Sequence, residues 1–154
     1  MIIYIASDHR GFVAKETLKK YLAESAYNVR DLGNDHYDEN DDYPIFAIEV
    51  AKKVSGDMDS KGILLCGSGV GVDIVANKFK GIRSSLCFSS DQAYVARQDD
   101  DANVLSIPAE YIDEEALKKI VSIWLQTPFS KVEKHTRRLS EIRDLGIESS
   151  QLLP

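Results

Sequence analysis

Short apolar runs alternate with stretches of helical periodicity from one end of the chain to the other. The runs are Ile2-Ile3-Tyr4-Ile5-Ala6, Val29-Arg30-Asp31-Leu32, Gly62-Ile63-Leu64-Leu65-Cys66, Gly81-Ile82 through Leu86-Cys87, and Asn103-Val104-Leu105-Ser106-Ile107. Runs of this length, bounded by turn residues, read as strands. Between the first two, Ala14, Leu18, Tyr21 and Leu22 recur at helical spacing, while Lys15, Glu16, Lys19 and Lys20 fill the outer face. That is an amphipathic helix with its charges in water. A second helix opens at Pro44, which suits a first turn because its missing N–H would have had no partner there. It continues through Ala47, Val50, Ala51 and Val54, with 55–61 as its exit loop. A third helix starts in the glycine-rich turn after Cys66, and a fourth covers about 90–100. The fifth begins at Asp113 as N-cap and shows Leu117, Ile120, Val121 and Trp124 on one face. A sixth carries Leu139 and Ile142, with Gly146 placed to end it in the left-handed conformation.

Strand and helix in strict alternation predict parallel strands joined by right-handed crossovers, with helices on both faces. The expected fold is α/β, a Rossmann-like three-layer α/β/α sandwich with a five-stranded parallel sheet in the order 2-1-3-4-5. No repeat or linker divides it, so 1–146 reads as one domain and 147–154 as a loose tail. Ligands of such sheets bind beyond the carboxyl ends of the strands.

Composition narrows the possible partners. The chain has 154 residues, a net charge of −6 and 44% hydrophobic residues. A chain of this size buries enough surface to fold without disulfides or a structural metal. The acidic balance argues against nucleic acid and anionic membranes as partners. Two cysteines are too few for a secreted disulfide framework. With neither a secretory leader pattern nor an apolar stretch long enough to span a bilayer, the expected location is cytoplasmic.

Unusual residues gather at the predicted strand ends. Cys66-Gly67-Ser68-Gly69-Val70-Gly71 joins a buried strand to a helix. Its glycines allow a sharp turn that aims backbone N–H groups inward, toward a phosphate or a developing oxyanion. A thiol beside a helix N-terminus is expected to lean toward thiolate; a tight turn around a structural cysteine is the plainer alternative. A dinucleotide fingerprint fits poorly, because Gly67, Gly69 and Gly71 give G-x-G-x-G, with no acidic residue at the next strand end. A cysteine phosphatase loop would need an arginine where Val72 and Asp73 stand. Ser7-Asp8-His9-Arg10-Gly11 follows the first strand, and in the expected order this turn flanks one crevice with the Cys66 turn. Its Asp-His pair can bind hydroxyls and position a proton donor, or merely cap a helix.

Three further clusters qualify. In Gln98-Asp99-Asp100-Asp101, three carboxylates oppose the helix dipole and need a reason to be there. Lys134-His135-Thr136-Arg137-Arg138 is a basic cluster in which Lys134 and Arg138 share a helix face suited to a phosphate, or to solvent. The acidic stretch from Asp35 to Asp42 reads as solvent-exposed decoration, and no spacing of His, Cys, Asp or Glu reads as a metal site.

Taken together, Ser7-Asp8-His9-Arg10-Gly11, Asp42-Tyr43-Pro44, Gly62 through Gly71, Ala76-Asn77-Lys78, Gly81-Ile82-Arg83, Asn103-Val104-Leu105 and His135 with Arg138 resemble the ribose-5-phosphate isomerase B family. That family includes the galactose-6-phosphate isomerase subunits. The resemblance spans nearly the whole chain in order. It implies a homodimer or dimer of dimers with shared active sites, acting on a small sugar phosphate without metal or other cofactor.

Aldose–ketose isomerisation needs a base between C1 and C2 and donors for the enediolate. By resemblance, Cys66 is the base and Ser68 serves the carbonyl oxygen. The amides of Gly67, Gly69, Val70 and Gly71 form the anion hole. Asp8, His9 and Tyr43 hold the sugar, while Asp100, Lys134 and Arg138 complete the pocket. The chain departs from the family where Asp99 replaces the ring-opening histidine, Asp100 an asparagine, Glu110 a phosphate-binding arginine and Lys134 another arginine. As ring-opening acid, Asp99 would need surroundings that keep it protonated. Arg10, Arg137 or Arg138 could restore the cationic grip. The competing expectations are an isomerase of a tetrose or hexose phosphate or of an unphosphorylated sugar, and a non-catalytic sugar- or nucleotide-binding module.

Overall fold

A computed structural model describes residues 1–144. The tail after 146 and the left-handed terminator expected at Gly146 lie outside the described residues. The element order is β1 (Ile2–Ser7), α1 (Phe12–Glu24), β2 (Asn28–Asp31), α2 (Tyr43–Gly56), β3 (Lys61–Cys66), α3 (Val70–Ala76), β4 (Ser84–Leu86), α4 (Ser90–Gln98), β5 (Val104–Pro108), α5 (Glu114–Gln126) and α6 (Glu133–Asp144). The strands form one parallel five-stranded sheet.

Its order is β2-β1-β3-β5-β4, which corrects the expected 2-1-3-4-5. Hydrophobicity explains the exchange. All of Val104–Pro108 is buried, whereas Ser84–Leu86 is only half-buried. The apolar strand takes the interior position and the short serine-bearing strand takes the edge, where one face and one ladder remain open.

Alternation along β3 splits the core. Ile63 and Leu65 face α1, α4 and α5 together with Leu18, Leu22, Ile120 and Trp124. Leu64 and Cys66 face α2 and α3 together with Ala47, Val50, Ala51 and Val72. In α5, Leu117, Ile120, Val121 and Trp124 are buried as predicted, and the Asp113 side chain accepts the Ala116 N–H at 2.8 Å.

Lys15 departs from expectation. Instead of facing water it is fully buried, with Nζ 2.9 Å from both carboxylate oxygens of Asp31 and donating also to the Asn34 carbonyl. A buried ammonium persists only where paired and hydrogen-bonded, and these contacts tie α1 to the end of β2. Cys66 and Cys87 are both free and sit in different core layers, with β5 between their strands. Strands two places apart are separated by roughly 10 Å, beyond the reach of a disulfide.

Candidate active site

Register brings the reactive turns together. Ser7 is level with Leu65 and Cys66 with Pro108, so Asp8, the Cys66 loop and Glu110 emerge at one end of the sheet. Because the chain places β2 on one side of β1 and β3 on the other, a crevice opens between the turns that follow β1 and β3.

The Cys66 loop is stapled to the turn after β5, with Ala109 N–H donating to the Cys66 carbonyl at 2.9 Å and Glu110 N–H to the Gly67 carbonyl at 3.1 Å. Gly69 precedes α3 in the left-handed region, φ 72°. A Cβ there would stand 2.6 Å from Leu86 Cδ1 and 3.0 Å from the Ile107 carbonyl carbon. Glycine is therefore required on two counts, conformation and space. Ser68 is half-buried, its Oγ 3.4 Å from the Val70 amide. The Tyr43 ring lies against Gly71, where an added Cβ would be 2.6 Å from Cζ.

Asp8, almost wholly buried, links the two turns. Its Oδ1 accepts the Gly11 N–H at 2.9 Å and its Oδ2 accepts the Cys66 thiol at 2.9 Å. Burial pushes the thiol up to about 11, and the Asp8 carboxylate adds to the shift. The amides of Gly69 and Gly67 pull it the other way and are outweighed. The expected lean toward thiolate is thus reversed, because burial of the sulfur, reinforced by the Asp8 carboxylate in hydrogen-bond contact, outweighs the partial charges of two amides. The resting residue is a thiol with a proton acceptor in place.

His9 does not pair with Asp8. Its Nδ1 lies 2.7 Å from Asp41 Oδ1, and that oxygen also accepts the His9 backbone N–H at 3.1 Å. Asp41 belongs to the stretch read as decoration, yet its side chain is only 6% exposed. The remainder of that reading holds for Asp35, His36 and Glu39, which are exposed. The sequence signal that could have singled out Asp41 is weak, since nothing in a run of acidic residues marks the one that turns inward.

Glu110 is not a loose carboxylate in the pocket. Arg10 grips it through Nε at 2.6 Å and Nη2 at 2.5 Å, and the guanidinium lies against Gly67. This two-point pair holds the Glu110 carboxyl below its usual range and fixes Arg10 across the mouth of the Cys66 loop.

The remaining expected residues form a second cluster. Asp99 sits at the end of α4, where Oδ1 accepts Gln98 Nε2 at 3.1 Å and lies 3.5 Å from Nδ1 of buried His135, which also contacts Ser130 Oγ at 2.8 Å. Of the three carboxylates at this helix end, Asp101 has its reason in nearby cations. Asp101 meets Arg97 at 2.7 Å and Arg83 at 3.0 Å. Asp100 lines a surface groove with Ser85, Leu86 and Cys87. Lys134 and Arg138 are exposed on α6, with no hydrogen bond or ion pair among the described residues. No hydrogen bond or ion pair joins Asp99, Asp100, Lys134 or Arg138 to the Cys66 loop among the described residues. Asn77 and Asn103 serve the frame. Asn77 exchanges two hydrogen bonds with the Ser84 backbone, and Asn103 bonds the Arg83 amide and the Gly81 carbonyl.

A doubly wound sheet with a thiol, a carboxylate and a glycine-rich amide loop at its switch point defines a class of small-molecule enzyme working by proton transfer. The chain belongs to the Ribose/Galactose Isomerase family, whose model matches residues 3–142. A probable ribose-5-phosphate isomerase B of Mycoplasma genitalium is 43% identical over 141 residues, covering 91% of this chain and 92% of the relative. The crystal structure of ribose-5-phosphate isomerase B from Mycoplasma genitalium with bound ribulose-5-phosphate superposes with a TM-score of 0.90 at 42% identity, over 94% of this chain and 95% of that one. Ribose-5-phosphate isomerase B of Clostridium thermocellum gives a TM-score of 0.89 at 37% identity, over 94% and 97% of the two chains.

Proposed function

We propose that this chain is an aldose–ketose isomerase that interconverts ribose 5-phosphate and ribulose 5-phosphate through an enediolate. The observation that carries this reading is the Cys66 thiol, hydrogen-bonded to buried Asp8 and facing an amide-lined loop. The thiol proton passes to Asp8, and the thiolate then takes the proton from C2 of the open-chain aldose. The electron pair moves onto the C1 oxygen, giving an enediolate that the Gly67–Gly71 amides and Ser68 stabilise. The C2 hydroxyl proton passes to the C1 oxygen, and delivery to C1 of the proton now on Cys66, which exchanges with solvent in competition, yields the ketose and regenerates the thiolate. Tyr43 and His9 hold the sugar, and Arg10, fixed by Glu110, faces its anionic end.

A homodimer completes the site, with Asp99, Asp100, Lys134 and Arg138 reaching the pocket of the partner subunit, and Asp99 serving ring opening. Support comes from the lack of any hydrogen bond or ion pair between them and the Cys66 loop among the described residues, and from exposed apolar residues near the open sheet edge. Those residues are Val70 and Ile74 on α3, Phe88 after β4, and Tyr94 and Val95 on α4. The 1–146 segment acts as one catalytic domain.

The test is isomerisation of ribose 5-phosphate in deuterated water, with exchange at C2 followed by proton NMR. Wild type incorporates deuterium, and Cys66→Ala loses both exchange and turnover by at least about 100-fold. Equal exchange in the variant would remove Cys66 from the mechanism. A protein that binds the sugar without exchange would be a binding module instead.

A further inference from the structure

Asp41 lies in none of the reactive turns, yet it is the most fully engaged side chain of its loop. Oδ1 lies 2.7 Å from the ring Nδ1 of His9 and accepts its backbone N–H at 3.1 Å, and Oδ2 accepts from Asn34 Nδ2 at 3.3 Å. The Asn34 carbonyl is held in turn by buried Lys15, so the carboxylate is anchored through two residues to the α1–β2 framework. Taking a carboxylate out of water is unfavourable unless its partners repay the lost hydration, and here two of the three hydrogen bonds come from His9. With Nδ1 committed to Asp41, Nε2 is the ring atom left for chemistry, and it makes no hydrogen bond among the described residues.

We propose that Asp41 is a positioning residue that fixes the orientation and the Nδ1–H tautomer of His9, so that Nε2 meets a substrate oxygen and donates to it when the ring is protonated. The inference rests on the proposed isomerase function and deepens it. The charged and titratable groups around His9 are Asp41 and Tyr37 from the loop before α2, Asp8 and Arg10 from its own turn, and Glu110 from the turn after β5. The hydrogen bond to Asp41 holds the ring pKa above its ordinary value, Asp8 adds to this, and Arg10 opposes it. Against the burial that raises it, the bond from His9 holds the Asp41 carboxyl below its usual range. A group whose pKa is raised stays protonated at lower pH and loses the proton as pH rises through its folded value. Donation by Nε2–H therefore fades on the alkaline side.

The experiment is the pH dependence of kcat/KM for ribose 5-phosphate in wild type, Asp41→Asn and Asp41→Glu. The alkaline limb is expected to move to lower pH in the Asn variant by about one unit or more, because the anionic partner is gone. Asp41→Glu restores part of the shift. A uniform loss of rate with an unmoved limb, or no change, would overturn the proposal, since a merely structural residue behaves in one of those ways. If the Asn variant does not fold, nitrogen NMR of the wild-type ring decides. Neutral His9 is expected as the Nδ1–H tautomer, and the opposite tautomer overturns the idea. If wild type isomerises and the limb is unmoved in the Asn variant, only this inference fails, whereas wild type that does not isomerise defeats the proposed function and leaves the tautomer measurement standing.

Discussion

A thiol pushed up to about 11 is a strong base held in its protonated form, and the group responsible for part of that shift, Asp8, is also the one able to remove the proton. The two effects separate in one variant. Asp8→Asn deletes a hydrogen bond and a charge that raise the thiol pKa, so alkylation of Cys66 by iodoacetamide near pH 8 is expected to speed up. Isomerisation, having lost its internal proton acceptor, is expected to slow by at least about 100-fold. Slower alkylation together with slower turnover would show that Asp8 does not act on the thiol. Glu110 makes a related point about charge. Read along the chain it adds a repulsive carboxylate to a phosphate site, whereas in space it is neutralised by Arg10 and gives that guanidinium a fixed place. Both cases turn on neighbours far away in sequence, 58 residues for Cys66 with Asp8 and 100 for Arg10 with Glu110.

At the scale of elements, periodicity located every strand and helix to within a few residues, because the fully buried faces of β1, β3 and β5 must be apolar. The pairing of those strands was less legible. The polarity of Ser84 and Ser85 beside the apolar Val104–Ile107 run contained the clue, but adjacency depends on which strand gains more by two-sided burial, a comparison between strands and not a property of either. Lys15 illustrates the same limit inside a helix, since only the arrival of Asp31 and Asn34 makes an inward lysine tolerable. The glycine turn was legible because its constraint is local. Gly69→Ala is expected to destabilise the protein by about 2–4 kcal/mol, adding the left-handed backbone cost to overpacking against Leu86 and Ile107. Urea unfolding measures this. A change below about 0.5 kcal/mol would mean that the loop relaxes freely.

For the whole molecule, the decisive feature is that no hydrogen bond or ion pair among the described residues joins Asp99, Lys134 or Arg138 to the Cys66 loop. If Asp99, Lys134 and Arg138 serve a neighbouring subunit, Cys66→Ala and Arg138→Ala chains are each inactive as homodimers. Mixed after mild dissociation, they are expected to regain activity that neither has alone, because one site of each hybrid holds both wild-type residues. No recovery, with hybrids demonstrated by mass, would place both halves of each site in one chain. Among the described residues no helix is long and apolar enough to cross a membrane. The sequence by itself determined the alternating elements, the sharp turn after β3 and the residue types gathered at the strand ends, since these follow from local periodicity and backbone sterics. Tertiary structure alone decided the strand order, the inward turn of Lys15 and Asp41, the protonated state of Cys66 and the pairing of Arg10 with Glu110. Burial and charge pairing depend on which distant groups share a space, and composition and spacing carry no record of that.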